Sequence, residues 1–288
     1  MLPDWLGVKP ANTEKYNEIK QTISSLGLNT VCVEAHCPNI TECWSAGTAT
    51  FMILGELCTR GCRFCAVSKS AKGVETDRLE PEKLAKVIKE WGLGYVVLTS
   101  VCRDDLPDQG AGHFAACVRE IKKANPGTLV EVLIPDFRGD AVCLQQIVDA
   151  RPDVIGHNME TVERLNPVIR DRRANYAQSL KVLQLSKSFD KRIYTKSAMM
   201  LGVGETEEEI LKTLQDLRAS GVDFLAMGQY LRPSQHQYEV KEYVALEKFE
   251  RLKKKAMELG FLYVAAGPFI RSSYKAREYF IKALVKNR

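Results

Sequence analysis

No apolar run in this 288-residue chain approaches the roughly 18 residues needed to cross a bilayer, which excludes a transmembrane helix. Charge of one sign is also scarce. With 41 Lys+Arg against 36 Asp+Glu, the net charge of +5 is too mild to argue nucleic-acid binding. There is no low-complexity segment and no internal repeat beyond a strand–helix rhythm. The opening Met1-Leu2-Pro3-Asp4-Trp5 has an early acid and a proline where a signal peptide has basic and then apolar residues. The expected location is therefore cytoplasmic, with neither membrane nor nucleic acid as partner. Apolar residues at 45% and charged residues at 27% are ordinary globular values, which exclude disorder and fibrous structure. At this length one large α/β barrel or two smaller domains can each bury a real core.

What the chain has in excess is cysteine. Nine cysteines cannot all pair, and the chain is neither short nor loop-rich as secreted disulfide scaffolds are. Six of them, Cys32, Cys37, Cys43, Cys58, Cys62 and Cys65, fall close together, while Cys102, Cys117 and Cys143 are scattered. Clustered thiols in a reducing compartment read as metal ligands. Cys117 and Cys143 fall on helical patterns and read as small core residues, and Cys102, in the loop after the second strand, either faces the expected site or, as the simpler reading, is buried and inert.

From Phe51 onward, strand-like runs alternate with amphipathic helical patterns. The runs are Phe51–Gly55, Tyr95–Ser100, Leu129–Pro135, Asp153–His157, Arg192–Leu201 and Phe224–Tyr230. The helical patterns are Pro81–Glu90, Ala111–Ala124, Ala141–Ala150, Tyr176–Ser188, Thr206–Ser220 and Leu246–Leu259. Pro81 suits a first turn, and Gly92, Gly221 and Gly260 suit helix ends. Six consecutive βα units predict an α/β fold with a parallel sheet and helices outside, a full or partial barrel, with a doubly wound open sheet as rival. Before them come a helix around Thr13–Ser25 and a polar, cysteine-bearing loop from Cys32 to Thr50. After them come an apolar run, Phe261–Ile270, and a helix from Tyr274. The expected division is an N-terminal extension (1–50), a core (51–260) and a C-terminal extension (261–288).

The sharpest motif is Cys58-Thr59-Arg60-Gly61-Cys62-Arg63-Phe64-Cys65, directly after the first strand of the core. A CxxxCxxC run can hold three corners of a [4Fe–4S] cube and leave the fourth iron open, and open metal positions are where substrates bind. Gly61 is expected to let the backbone turn tightly. Structural zinc, which usually takes four ligands, is the competing reading. Upstream, Cys32, Cys37 and Cys43 form a looser CxxxxCxxxxxC, a second iron–sulfur candidate that also lacks a fourth ligand. His36 is nearby but adjacent to Cys37 and poorly aimed. The distant Arg271-Ser272-Ser273-Tyr274 offers hydroxyls, although hard oxygen suits iron less well than thiolate and serine is a common helix N-cap.

The CxxxCxxC triad resembles the signature of the radical S-adenosylmethionine superfamily. Both triads together with Arg271-Ser272-Ser273-Tyr274 resemble the lipoyl synthase family. So do Thr99-Ser100-Val101-Cys102-Arg103-Asp104-Asp105-Leu106, His157-Asn158-Met159-Glu160-Thr161, the run from Met200 to Thr206 and the run from Gly228 to Ser234. The resemblance implies a partial (β/α)6 barrel with N- and C-terminal extensions and two [4Fe–4S] clusters. The cluster on Cys58, Cys62 and Cys65 would bind S-adenosylmethionine and cleave it to a 5′-deoxyadenosyl radical, with Phe64 near adenine. The cluster on Cys32, Cys37, Cys43 and Ser273, with Ser272 as the alternative ligand, would donate sulfur. The implied activity is that of a sulfurtransferase. It inserts two sulfur atoms at C6 and C8 of an octanoyl group on a carrier lysine and consumes two S-adenosylmethionines per lipoyl group. Implied partners are octanoylated carrier domains (2-oxoacid dehydrogenase E2 subunits and the glycine cleavage H protein), an electron-donating reductase and iron–sulfur assembly factors.

Within that picture Asn158 and Glu160 would bond ribose hydroxyls, or else form an ordinary polar strand end. Thr99 and Arg170 would meet the methionine end, Arg170 by pairing with its carboxylate, or else Arg170 belongs to a solvated turn, Arg170-Asp171-Arg172-Arg173. Arg103-Asp104-Asp105 and Lys196 read as structural ion pairs near strand ends. Gln109 stands where the family commonly has glycine. Arg251, Lys253, Lys254 and Lys255 either meet an acidic carrier or form a solvated helix face. The rival functions are a biotin-synthase-like sulfur inserter acting on a free small molecule and a non-catalytic zinc module.

Overall fold

The computed structural model describes residues 14–45, 50–276 and 278. They fall into two compact units. One holds the described residues up to Gly61 together with Ala66–Ile155, and the other holds Cys62–Cys65 and the described residues from Gly156 onward.

The first unit begins with α1 (Glu14–Leu26), β1 (Asn29–Thr30), α2 (Val31–Glu34) and α3 (Ile40–Ser45). It continues through β2 (Thr50–Ile53), α4 (Glu80–Glu90), β3 (Tyr95–Ser100), α5 (Ala111–Ala124), β4 (Leu129–Leu133), α6 (Ala141–Asp149) and β5 (Val154–Gly156), whose last residue begins the second unit. β2, β3 and β4 pair in parallel, with Phe51 opposite Leu98 and Leu98 opposite Val132. Their side chains are buried on both faces, as a sheet covered by helices requires. Local chemistry sets the helix starts: Pro81 lies in the first turn of α4, and the Asp140 carboxylate accepts from the N–H groups of Val142 and Cys143 at the start of α6.

The second unit comprises α7 (Asn166–Ile169), α8 (Tyr176–Phe189), β6 (Tyr194–Leu201), α9 (Glu207–Ala219), β7 (Phe224–Gln229), α10 (Leu246–Glu258) and β8 (Tyr263–Gly267). β6, β7 and β8 are parallel, with Met199 opposite Met227 and Leu225 opposite Val264. Thr206 and Glu209 form a capping box at the start of α9. Leu183, Leu201, Leu214, Met227 and Leu252 belong to one continuous apolar core.

Sheet order follows chain order from β1 to β8. A doubly wound sheet would reverse order at a switch point, so the open, barrel-type order is the one realised. The cysteine-bearing segment expected as a loop contains α2 and α3 instead. They are four and six residues long, too short to show a period, and α2 is started by the Thr30 hydroxyl accepting from Val33 N–H. β1 pairs antiparallel with β2 over only two residues and carried no readable pattern. Within the apolar run Phe261–Ile270, Tyr263–Gly267 forms a strand. The helix expected from Tyr274 lies mostly outside the described residues.

Candidate active site

In the first unit, the loop after β2 is fastened through its own motif residues. Cys58 N–H donates to the Ser68 carbonyl at 2.9 Å, and Ser70 N–H donates to the Cys58 carbonyl at 3.0 Å. Arg60 is buried. Its Nε and Nη2 donate to Asp104 at 2.8 and 2.9 Å, and its Nη1 donates to Asp136 Oδ2 at 2.6 Å. Asp104 follows β3 and Asp136 follows β4, so one guanidinium ties together three successive loops at the same strand ends. Burial alone would raise the Asp104 pKa, but the Arg60 guanidinium overcomes it and holds the carboxyl well below its usual range. Thr59 N–H donates to the Cys102 carbonyl at 2.9 Å, and the Thr59 hydroxyl accepts from Asp104 N–H at 3.0 Å.

The Cys58 thiol is pulled down to about 6, chiefly by a hydrogen bond from the Cys102 thiol, with the Arg60 N–H adding to it against the effect of burial. That N–H lies 3.5 Å from Cys58 Sγ. The neighbouring Cys58 sulfur and burial push the Cys102 thiol the other way, well above its ordinary value. Gly61 departs from expectation, because it is not among the glycines with positive φ, so the turn does not call on its left-handed freedom. Gln109 does occupy left-handed backbone, with φ of 53°, and its side-chain amide donates to the Phe137 carbonyl at 3.1 Å. That backbone favours glycine, which accounts for the family's usual residue there. Thr99 commits its hydroxyl to the Leu133 carbonyl at 3.1 Å.

The upstream triad lies in the same unit, with Cys32 on α2, Cys37 in the following turn and Cys43 on α3. Cys37 N–H donates to the Cys32 carbonyl at 3.1 Å. Burial pushes the Cys32 thiol up to about 11. The indole N–H of Trp44 is buried without a close acceptor, and Cys32 is the sulfur it approaches. His36 is exposed and held at a φ of 50°.

In the second unit, Asp171 N–H donates to Cys62 Sγ at 3.3 Å, and Gln237 Nε2 donates to the Cys65 carbonyl at 3.4 Å. Phe64 packs against the apolar core, which is the packing role its size alone suggests. Beyond β5, Asn158 Nδ2 donates to Glu160 Oε1 at 3.1 Å, and Asn158 Oδ1 accepts from the Ser272 hydroxyl at 3.0 Å. Burial raises the Glu160 pKa, and the positive charge of Arg170 opposes that rise. Arg170 is no solvated turn residue. It is 8% exposed and donates from Nη1 to Ser179 Oγ at 2.7 Å, and that hydroxyl also meets His157 Nε2 at 2.9 Å. Glu160 has a φ of 69°, and its backbone is fastened on both sides by hydrogen bonds with Ala198 and Met200.

Ser272 and Ser273 sit half-buried in the turn just before the last described helical residues, where composition suggested a helix cap. The segment leading to them packs directly on β7. A Cβ built on Gly228 would lie 2.0 Å from the Ile270 carbonyl oxygen, so the position admits only glycine without displacement.

The remaining assignments divide. Cys117 and Cys143 are buried on α5 and α6, as expected. Arg103 and Asp105 form an ion pair at 2.9 Å, but Lys196 lies inside β6 and not at its end. In the basic run of α10, Arg251 and Lys255 pair with Glu207 of α9 at 2.7 and 3.1 Å, so much of that charge is already answered within the chain. Sequence reasoning missed the roles of Arg60, Asp136, Ser179 and Cys102. Only Arg60 carried a signal, its place inside the cysteine motif.

The donor set of Cys58, Cys62 and Cys65, two of whose sulfurs accept backbone N–H bonds, has the chemistry of thiolate ligation to iron. The polar cluster of Asn158, Glu160 and Arg170 has the groups that hold a charged, hydroxylated cofactor. The family model of the Radical SAM superfamily matches residues 52–217. The fold is similar to that of the FeFe-hydrogenase maturase HydG from Carboxydothermus hydrogenoformans, with a TM-score of 0.60 and 12% identity, covering 81% of this chain and 56% of that one. It is also similar to methylornithine synthase (PylB), with a TM-score of 0.55 and 13% identity, covering 87% and 70%. The chain belongs to the radical SAM superfamily, whose members use a [4Fe–4S] cluster and S-adenosylmethionine.

In sequence it is 52% identical to lipoyl synthase of Methanocella arvoryzae, covering 99% of this chain and 97% of that protein. It is 51% identical to mitochondrial lipoyl synthase of Drosophila ananassae, covering 100% and 78%. It spans a smaller share of the apicoplast lipoyl synthases, 65% of the one from Plasmodium knowlesi at 49% identity and 53% of the one from Toxoplasma gondii at 51%. Within the superfamily it is a member of the lipoyl synthase family.

Proposed function

We propose that this chain inserts two sulfur atoms, at C6 and C8, into an octanoyl group carried on a lysine of a lipoyl carrier domain. The observation that carries the proposal is the 52% identity to a lipoyl synthase of which the chain spans 97%. A reduced [4Fe–4S] cluster with S-adenosylmethionine supplies one-electron cleavage of the sulfonium, and so the radical chemistry that unactivated C–H bonds require. Cys58, Cys62 and Cys65 would hold that cluster. Asn158 and Glu160 would take the ribose hydroxyls and Arg170 the methionine carboxylate, with Phe64 and Thr99 as further cofactor contacts. The raised Glu160 pKa and the Arg170 charge beside it support this division of roles. Two S-adenosylmethionines would be used per lipoyl group.

The sulfur source would be a second [4Fe–4S] cluster, a substrate of the reaction, on Cys32, Cys37, Cys43 and Ser273. Support for Ser273 over Ser272 comes from hydrogen bonding. The Ser272 hydroxyl is committed to Asn158, whereas that of Ser273 has no partner among the described residues. A hard oxygen ligand binds iron less firmly than thiolate, which suits a cluster that is to be dismantled. Residues 1–50 and 261–288 would thus serve the sulfur source and residues 51–260 the radical chemistry. Octanoylated E2 and H-protein carrier domains, a reductase and iron–sulfur assembly factors would be the partners. The setting would be the cytoplasm, in keeping with nine cysteines of which none is in a disulfide. No helix among the described residues is long and apolar enough to cross a membrane.

The test is to incubate reconstituted protein with an octanoyl-lysine peptide, S-adenosylmethionine and a reductant, and to weigh the peptide by mass spectrometry. Two added sulfurs are expected. Cofactor cleavage with no sulfur gain would leave the superfamily assignment and remove the sulfur insertion.

A further inference from the structure

Three side chains that the proposed function leaves unused meet in the first unit, beside the end of β2. Glu80 opens α4, while His113 and Cys117 stand one turn apart on α5 and so share a face. His113 Nε2 lies 2.6 Å from Glu80 Oε2. A carboxylate oxygen, a ring nitrogen and the thiol sulfur, one from each residue, all fall within 4.8 Å of one another. Leu54 N–H donates to the same Glu80 oxygen at 3.1 Å, which fixes the carboxylate against the residue that follows β2. Glu80 and Cys117 are buried, and the His113 side chain is 13% exposed, so the cluster touches solvent at the imidazole. Helix packing accounts for a small buried thiol, or for a carboxylate bonded to an imidazole. It does not favour the two side by side. Burial and then the Glu80 charge push the Cys117 thiol well above its ordinary value, so thiolate beside carboxylate is costly unless a cation stands between them.

We propose that Glu80, His113 and Cys117 form a zinc site, separate from both cysteine triads, that takes one oxygen, one nitrogen and one sulfur and keeps a water as fourth ligand. Tetrahedral zinc at its usual bond lengths sets ligand atoms roughly 3.3–3.6 Å apart. The three atoms already lie within that scale, and the Glu80–His113 bond has to open by less than about 1 Å to admit the ion. Mixed oxygen, nitrogen and sulfur donors suit zinc, which has no geometric preference of its own. Charge balances as well, because one thiolate and one carboxylate neutralise a divalent ion in a buried place. On binding, Cys117 releases its proton to solvent and the ion exchanges water for the three side chains. The Leu54 N–H then serves as the outer partner that orients the ligating carboxylate. So placed, the ion joins α4 and α5 to the end of β2, just ahead of the loop that carries Cys58.

The full chain, loaded anaerobically with iron and sulfide so that the clustered cysteines are occupied, is mixed with one equivalent of zinc and desalted. Zinc and iron are then counted, and the zinc ligands are read by X-ray absorption. One zinc per chain with iron unchanged is expected, its shell holding one sulfur at about 2.3 Å and three lighter atoms at about 2.0–2.2 Å. Zinc that desalting removes, or a shell of three or four sulfurs, overturns the proposal. Cys117→Ser is expected to weaken zinc binding by more than about 100-fold, since even an outer partner of a ligand is worth 10–100-fold. Cys143→Ser, which alters a buried thiol on α6, is expected to leave it unchanged. Zinc held equally well by C117S overturns the proposal too. The sulfur count of the wild-type chain decides by itself, so a misfolded variant does not blunt the test.

Discussion

The two cysteine triads differ less in number than in surroundings. Cys32 is buried on a short helix and its thiol is pushed up to about 11, while Cys58 sits in a loop where the hydrogen bond from Cys102 pulls its thiol down to about 6. At neutral pH the first holds its proton and the second has already lost it. Thiolate is the form that binds metal, so the surroundings of Cys58 favour the ligating form and those of Cys32 oppose it. If the second triad holds the sulfur source proposed above, a site that keeps its cluster and one that gives its cluster away would have reason to differ in this way.

The largest effect that would break the comparison comes from removing sulfurs. Replacing Cys58, Cys62 or Cys65 by Ala is expected to reduce S-adenosylmethionine cleavage to background. Replacing Cys32, Cys37 or Cys43 is expected to leave cleavage and abolish sulfur transfer. Separate assays of 5′-deoxyadenosine and of peptide mass check this, and loss of both products in both sets would erase the distinction. Next in size is Asp104→Ala. It leaves the buried Arg60 guanidinium with Asp136 alone and is expected to cost the iron-free chain about 3–5 kcal/mol by urea denaturation. A cost under about 1 kcal/mol, the range of an exposed pair, would show that the three loops are held by something else.

A titration sharpens the contrast further. In the iron-free chain, alkylation of Cys58 should rise to half-maximum near pH 6, whereas Cys32 should stay unreactive until the pH nears 11. The linkage signs are opposite. Cys58, depressed below the ordinary 9.0, adds stability as pH rises from about 6 to 9 and loses it as pH falls through 6. Cys32, raised above the ordinary 9.0, loses stability as pH climbs from 9 towards 11. Matching alkylation profiles would contradict the difference in environment. The smallest effect belongs to the surface. Lys255→Ala removes one exposed partner of Glu207, whose carboxyl is held near 2 by Arg251 and then Lys255. It is expected to shift stability by under about 1 kcal/mol and to leave sulfur transfer unchanged.

Much of this was legible in the sequence. Tyr95–Ser100 and Ala111–Ala124 have the bounds their patterns predicted, because long buried runs and strong helical periods leave little choice. The six clustered cysteines stood out by spacing alone. What the sequence concealed depends on contacts between distant residues. Nothing near Asp136 announces that it shares a guanidinium with Asp104, and Cys102 reads as a small apolar residue until the Cys58 loop is laid against it. Arg170 looked solvated because three of four consecutive residues are basic, yet burial and Ser179 single it out from Arg172 and Arg173.

At Glu160, stability and the proposed role pull in opposite directions. A residue other than glycine held at a φ of 69° costs on the order of 1–3 kcal/mol, and the flanking bonds to Ala198 and Met200 keep it there. Glycine would relieve the strain and delete the carboxylate in a single step. Selection for heat resistance alone would therefore drift towards glycine at this position, yielding a sturdier protein without the carboxylate proposed above to meet the cofactor.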